Sequence, residues 1–131
     1  MSMETPLHRV EGLGSAHDGV KHFWRERVTA AALVPLSAWF IWAVLGLVGA
    51  NEAQVLTFLA RSTFNVPLNA ILMGAFIVIL CYHMALGLQV VVDDYVHSEG
   101  AKIFLLLLIR AFGFAVAAVC IYALLNIARA V

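Results

Sequence analysis

The chain has 131 residues, 63% of them hydrophobic and 12% charged, and a mean hydropathy of +0.95, a balance that excludes an ordinary soluble domain and requires lipid as solvent. Eight Lys and Arg offset eight Asp and Glu, so no basic excess points to nucleic acid as a partner. The two cysteines, Cys81 and Cys120, sit in apolar runs without CxxC, CxxCH or zinc-type spacing, which excludes covalent cofactor attachment and a thiolate metal site and leaves them as packing residues.

In chain order, residues 1–27 are polar and read as an N-terminal cytoplasmic tail, with the Gly-bearing "VEGLGSAHDGVKHFW" leading into the first helix. The apolar run that follows is longer than the roughly 7–15 residues of a secretory h-region, so no cleaved signal is expected. A membrane-spanning helix needs about 20 apolar residues. The first such run covers about 28–48, "VTAAALVPLSAWFIWAVLGLV", without a charge and with Pro35 placed where it can kink the helix. The second covers about 67–92 and contains His83; the third covers about 103–127 and contains Arg110. Residues 28–131 are thus a transmembrane domain, and nothing remains for a soluble one. No internal repeat or low-complexity segment is present. Basic residues set orientation: Arg9, Lys21, Arg25, Arg27 and Lys102 fall on one side, Arg61 and Arg129 on the other, which places the N-terminus in the cytoplasm or its mitochondrial equivalent.

The chemistry-bearing residues lie in and around the second span. On a helix His83 and Gly87 are about 40° apart, and His83 and Asp94 differ by three turns plus about 20°. All three share one stripe. His83 lies ~18 Å along the axis from Tyr95, near the middle of a ~30 Å hydrocarbon core. An imidazole at that depth either hydrogen-bonds a neighbouring helix or binds a haem iron, since its neutral nitrogen needs no charge compensation in lipid. Gly87 admits a flat macrocycle or a packed helix. Asp93, Asp94 and Tyr95 end the span; Asp93 reads as a solvated boundary. Tyr95 is either an interfacial belt residue or a phenol that donates to a quinone carbonyl, with Asp94 beside it to hold water or relay protons. Arg27 is either a topology marker or a guanidinium for a haem propionate, with His22 and His17 as further donors near that surface. Arg110 reads as an interfacial anchor or inter-subunit partner, His97 carries no role, and Gly113 with Ala117 forms a small-xxx-small pair suited to helix packing.

The pattern "HMALGLQVVVDDY" together with "RVTA" after "GSAHDGVKHFW" resembles the small hydrophobic membrane-anchor subunits of succinate dehydrogenase, respiratory complex II. The resemblance covers nearly the whole chain, and it carries more than the spacing does. It implies an all-α membrane protein whose three transmembrane helices pack with a second anchor, the cytochrome b subunit, into a helix bundle. It implies haem b, with His83 as axial ligand of the haem iron and Arg27 and His22 in the propionate region. It also implies ubiquinone as a bound substrate held by Tyr95 and Asp94. The implied partners are that second anchor, an iron–sulfur subunit, a flavoprotein subunit and membrane lipid. The chain would be a non-catalytic part of a quinone-reducing enzyme in a bacterial inner membrane rather than a mitochondrial one. Competing readings are a haem-free membrane scaffold, the anchor of a related fumarate reductase, and a proton-coupled carrier using His83 and Asp94; the last is disfavoured by the absence of repeats and broken-helix pairs.

Overall fold

The computed structural model describes residues 5–7, 18–61 and 66–130. Four long or short helices follow one another there: α1 (Asp18–Gly46), α2 (Glu52–Ala60), α3 (Leu68–Tyr95) and α4 (Glu99–Ala130). Three of them, α1, α3 and α4, are long and apolar enough to cross a membrane, as an all-α membrane fold requires.

The helices run past the spans that hydropathy marks. α1 begins at Asp18, well before the apolar run at Val28, so the second part of the expected tail is helical. The physical reason is local. His22 Nε2 stands 3.3 Å from Glu26 Oε1, and the Arg27 guanidinium lies 5.1 Å from the centroid of the Phe23 ring. Side chains four residues apart meet on one helix face, and such pairs support polar helical turns by about 0.2–0.5 kcal/mol each. Hydropathy ends a span at its first charge; hydrogen bonding does not end the helix there. Arg9 and His17, assigned to the same tail, lie outside the described residues. α1 continues through Pro35 and stops in a turn where Gly49 takes φ +80°, a left-handed conformation that glycine adopts without a Cβ penalty.

The connection between the first two spans contains α2. Its start is a capping box: Asn51 Oδ1 accepts from the Gln54 backbone N–H at 2.9 Å and Gln54 Oε1 accepts from the Asn51 N–H at 2.9 Å, satisfying two otherwise unpaired donors. Asn69 Nδ2 donates to the Phe58 carbonyl at 2.8 Å, which ties α2 to the start of α3.

α3 is the central helix. It packs on α1 and on α4, whereas α1 and α4 do not pack on each other among the described residues. Two glycines lie at the contact with α4, and at Gly74 the approach is tight. A Cβ on Gly74 would come within 3.2 Å of Ile121 Cδ1, and one on Gly113 within 3.6 Å of the Cys81 carbonyl oxygen. The small-xxx-small reading of α4 is thereby realised at Gly113, which is buried against α3. On the α1 side, Phe40 and Phe76 stack with centroids 4.8 Å apart.

Gly113→Ala is expected to be tolerated, because its methyl would meet Cys81 at ordinary contact distance. Gly113→Leu is expected to force α4 from α3 and cost about 1–3 kcal/mol, measured as a lowered melting temperature in detergent.

A row of three spanning helices leaves most side chains outside any core. The buried apolar residues among those described are Leu33, Ala43, Leu59, Ala70, Leu86 and Val92. Trp42, Phe114 and Tyr122 are 67%, 79% and 69% exposed. Exposure on this scale fits lipid and further helices, not water.

Candidate functional site

His83 sits midway along α3 and turns toward α1, where its Nδ1 lies 2.8 Å from Thr29 Oγ1. Thr29 is the second residue of the first apolar run, in the "RVTA" that follows the charged turn. Its Oγ1 also lies 2.7 Å from the Arg25 carbonyl oxygen and 3.1 Å from that of Glu26, the back-bonding geometry of a hydroxyl on a helix. The ring is half-buried, and its Nε2 has no hydrogen-bond partner among the described residues. One turn along the same stripe, a Cβ built on Gly87 would meet nothing within 4 Å. The space beside the imidazole at Gly87 is therefore open.

This contact also places His83 relative to the charged start of α1. Arg25 precedes Thr29 by one helical turn, about 6 Å, and lines a groove with Gln89 and Arg110. The ring thus lies one to two turns along the helix axes from a layer of polar and charged side chains.

That charged layer has its own order. Arg25, Gln89 and Arg110 stand at the polar end of a groove of about 470 Å³ whose walls are otherwise apolar, including Tyr82, Gly113 and Phe114. Arg110 Nη2 approaches Gln89 Oε1 at 3.4 Å, a weak contact that fits the interfacial role expected of this arginine. A second, more polar cavity of about 620 Å³ is lined by Lys21, His22, Arg25, Gln89, Val90 and Asp93. The His22 Nε2 that stands near Glu26 is out of hydrogen-bonding alignment with it, so the atom is buried without a hydrogen-bond partner.

His22 and Arg27 are not brought together. Five residues on a helix turn through about 500°, which leaves them about 140° apart. His22 lies on the α3 side, while Arg27 is exposed and rests on Phe23. Arg25 is the arginine on Thr29's own face, a quarter-turn or less around the axis. Sequence reasoning passed over both Arg25 and Thr29, although their spacing of four residues was a readable signal of a shared face.

At the end of α3, Asp93 binds Lys102 at 2.7 Å, as a boundary residue should, and closes the short turn into α4. Asp94 is exposed, and Tyr95 is 78% exposed. The phenol makes no hydrogen bond among the described residues and is presented to whatever lies at this edge. It lies about 18 Å along the axis from His83, so the two side chains occupy separate parts of α3.

A family model described as "Succinate dehydrogenase/Fumarate reductase transmembrane subunit" matches residues 1–117. The chain belongs to that family. The match includes all of α3, with His83, Gly87, Asp94 and Tyr95. Among the relatives, the succinate dehydrogenase hydrophobic membrane anchor subunit of Paracoccus denitrificans is 33% identical over 120 residues, covering 92% of this chain and 88% of that one. The succinate dehydrogenase membrane anchor subunit of Reclinomonas americana is 34% identical over 93 residues, covering 70% and 75%. The corresponding subunit of Rickettsia bellii is 28% identical over 104 residues, or 79% of each chain. No solved structure matches the chain. This protein is accordingly a multi-pass helical membrane subunit of that family.

Proposed function

We propose that this anchor subunit holds the flavoprotein and iron–sulfur subunits of succinate:ubiquinone oxidoreductase at the membrane, supplies His83 as an axial ligand of a b-type haem, and forms part of the ubiquinone site with Tyr95 and Asp94. The observation that carries the haem reading is the state of His83. Its Nδ1 is engaged by Thr29, its Nε2 is not engaged among the described residues, and Gly87 beside it leaves open space. A haem needs an imidazole nitrogen with a free lone pair, a surface that admits a flat ring, and cations for two propionates. The residues fit. The second axial ligand would come from a second anchor subunit, which the open helix row is suited to receive.

Arg27 offers a guanidinium not used in an ion pair among the described residues, and His22 a ring nitrogen near Glu26 but without a hydrogen-bond partner, on the α3 side. These are the proposed propionate donors, on two sides of α1. When bound, the haem supplies a one-electron redox centre and a bond joining two subunits. At the membrane edge, Tyr95 donates a hydrogen bond to a quinone carbonyl and stabilises the oxygen as negative charge develops during reduction. Two electrons from the iron–sulfur subunit and two protons, delivered by water or Asp94, convert the quinone to quinol. Relatives named as succinate dehydrogenase subunits support succinate oxidation over fumarate reduction as the working direction. The excess of basic residues on the N-terminal side supports a cytoplasmic N-terminus in a bacterial inner membrane.

Deleting the chain tests the anchoring role. Succinate-dependent dye reduction is expected to move from the membrane to the soluble fraction, with quinone reduction lost. Succinate oxidation that stays membrane-bound and quinone-linked would sink the proposal.

A further inference from the structure

We infer that Thr29 is the positioning residue of His83, holding its ring as the Nδ1–H tautomer so that Nε2 presents a bare lone pair. The inference rests on reading His83 as a haem ligand. A threonine hydroxyl has one proton to give and two lone pairs to accept with. Thr29 Oγ1 has three neighbours within bonding distance: the Arg25 carbonyl at 2.7 Å, the Glu26 carbonyl at 3.1 Å and His83 Nδ1 at 2.8 Å. Carbonyl oxygens only accept, so the hydroxyl proton is the sole means of bonding either of them. The shortest contact, to Arg25, takes it. Nδ1 then faces a hydroxyl lone pair and must carry the ring's proton.

The opposite tautomer has two defects. It would give the hydroxyl proton to Nδ1, leaving the oxygen against two carbonyls without a bond. It would also place an N–H on Nε2 that finds no partner among the described residues, costing about 1–3 kcal/mol once buried and blocking metal ligation. Metal-ligating imidazoles usually donate their second N–H to an acceptor that fixes ring orientation and raises basicity. Here a helix one turn below the arginine layer supplies that acceptor through its own back-bonded threonine. The α1–α3 contact and the ligand geometry are therefore one feature.

The test uses the assembled complex in mild detergent, comparing Thr29→Val, Thr29→Ser and His83→Ala with the parent protein. Haem retention on dilution and the haem midpoint potential are the readouts. Thr29→Val keeps the side-chain shape without the hydroxyl. It is expected to lower haem affinity by about tenfold or more and to raise the midpoint potential, because a less basic imidazole holds ferric iron less well. Thr29→Ser is expected to restore both. If Thr29→Val fails to assemble, Thr29→Ala carries the same expectation. Parental retention and potential in the hydroxyl-free variants, with His83→Ala losing the haem signal, would overturn the role of Thr29 alone. A parental haem signal in His83→Ala would overturn the ligand reading beneath it.

Discussion

His83→Ala is expected to remove the b-type haem signal from the purified complex and to loosen the association of this chain with its second anchor. The side chain is half-buried, is bonded to α1 through Thr29 at 2.8 Å, and has its outer nitrogen free. Truncation removes the only imidazole in the three apolar runs. The Thr29 contact is lost as well, but Phe40–Phe76 stacking continues to join α1 and α3. The helix row is therefore expected to survive while the haem does not. Reduced-minus-oxidised difference spectra of matched preparations measure this, and an unshifted b-type band would place the ligand elsewhere.

Tyr95→Phe is expected to lower succinate-to-quinone activity by about tenfold to a hundredfold, with dye-linked succinate oxidation unchanged. Removing one well-placed donor from a developing oxyanion commonly costs about 10²–10³ in rate in a water-excluded site. The edge of α3 is more open, with Tyr95 78% exposed, so an effect at or below the bottom of that range is expected; tenfold corresponds to about 1.4 kcal/mol of barrier. Phe retains the ring and its packing, and Asp93–Lys102 continues to hold the turn. Steady-state assays with a soluble quinone, alongside inhibitor titration, check the point. Equal rates and equal inhibitor binding would argue that the phenol is only an interfacial residue.

The spanning helices and the stripe of His83, Gly87 and Asp94 were legible in sequence because lipid forces helical backbone bonding and helical period fixes which residues share a face. Helix ends were less legible. The charged turns at the start of α1 are helical through pairings such as His22 with Glu26, which a hydropathy count does not register. α2 had a readable signature in Asn51 and Gln54, hidden by its shortness. The partner of His83 lay beyond any single-helix argument. Thr29 is 54 positions away, and only the packing of α1 on α3 decides that these residues meet. The same packing turns Arg25 toward the groove and Arg27 away from it, a distinction invisible in "RERV" without knowing which face α3 occupies.

The most direct measurement is a pyridine haemochrome assay on the complex captured through this chain from membranes in mild detergent. The account predicts a b-type haem in the same preparation as a flavoprotein, an iron–sulfur protein and a second anchor, at about one per copy of this chain. A complex of that subunit composition with no b-type haemochrome would contradict it.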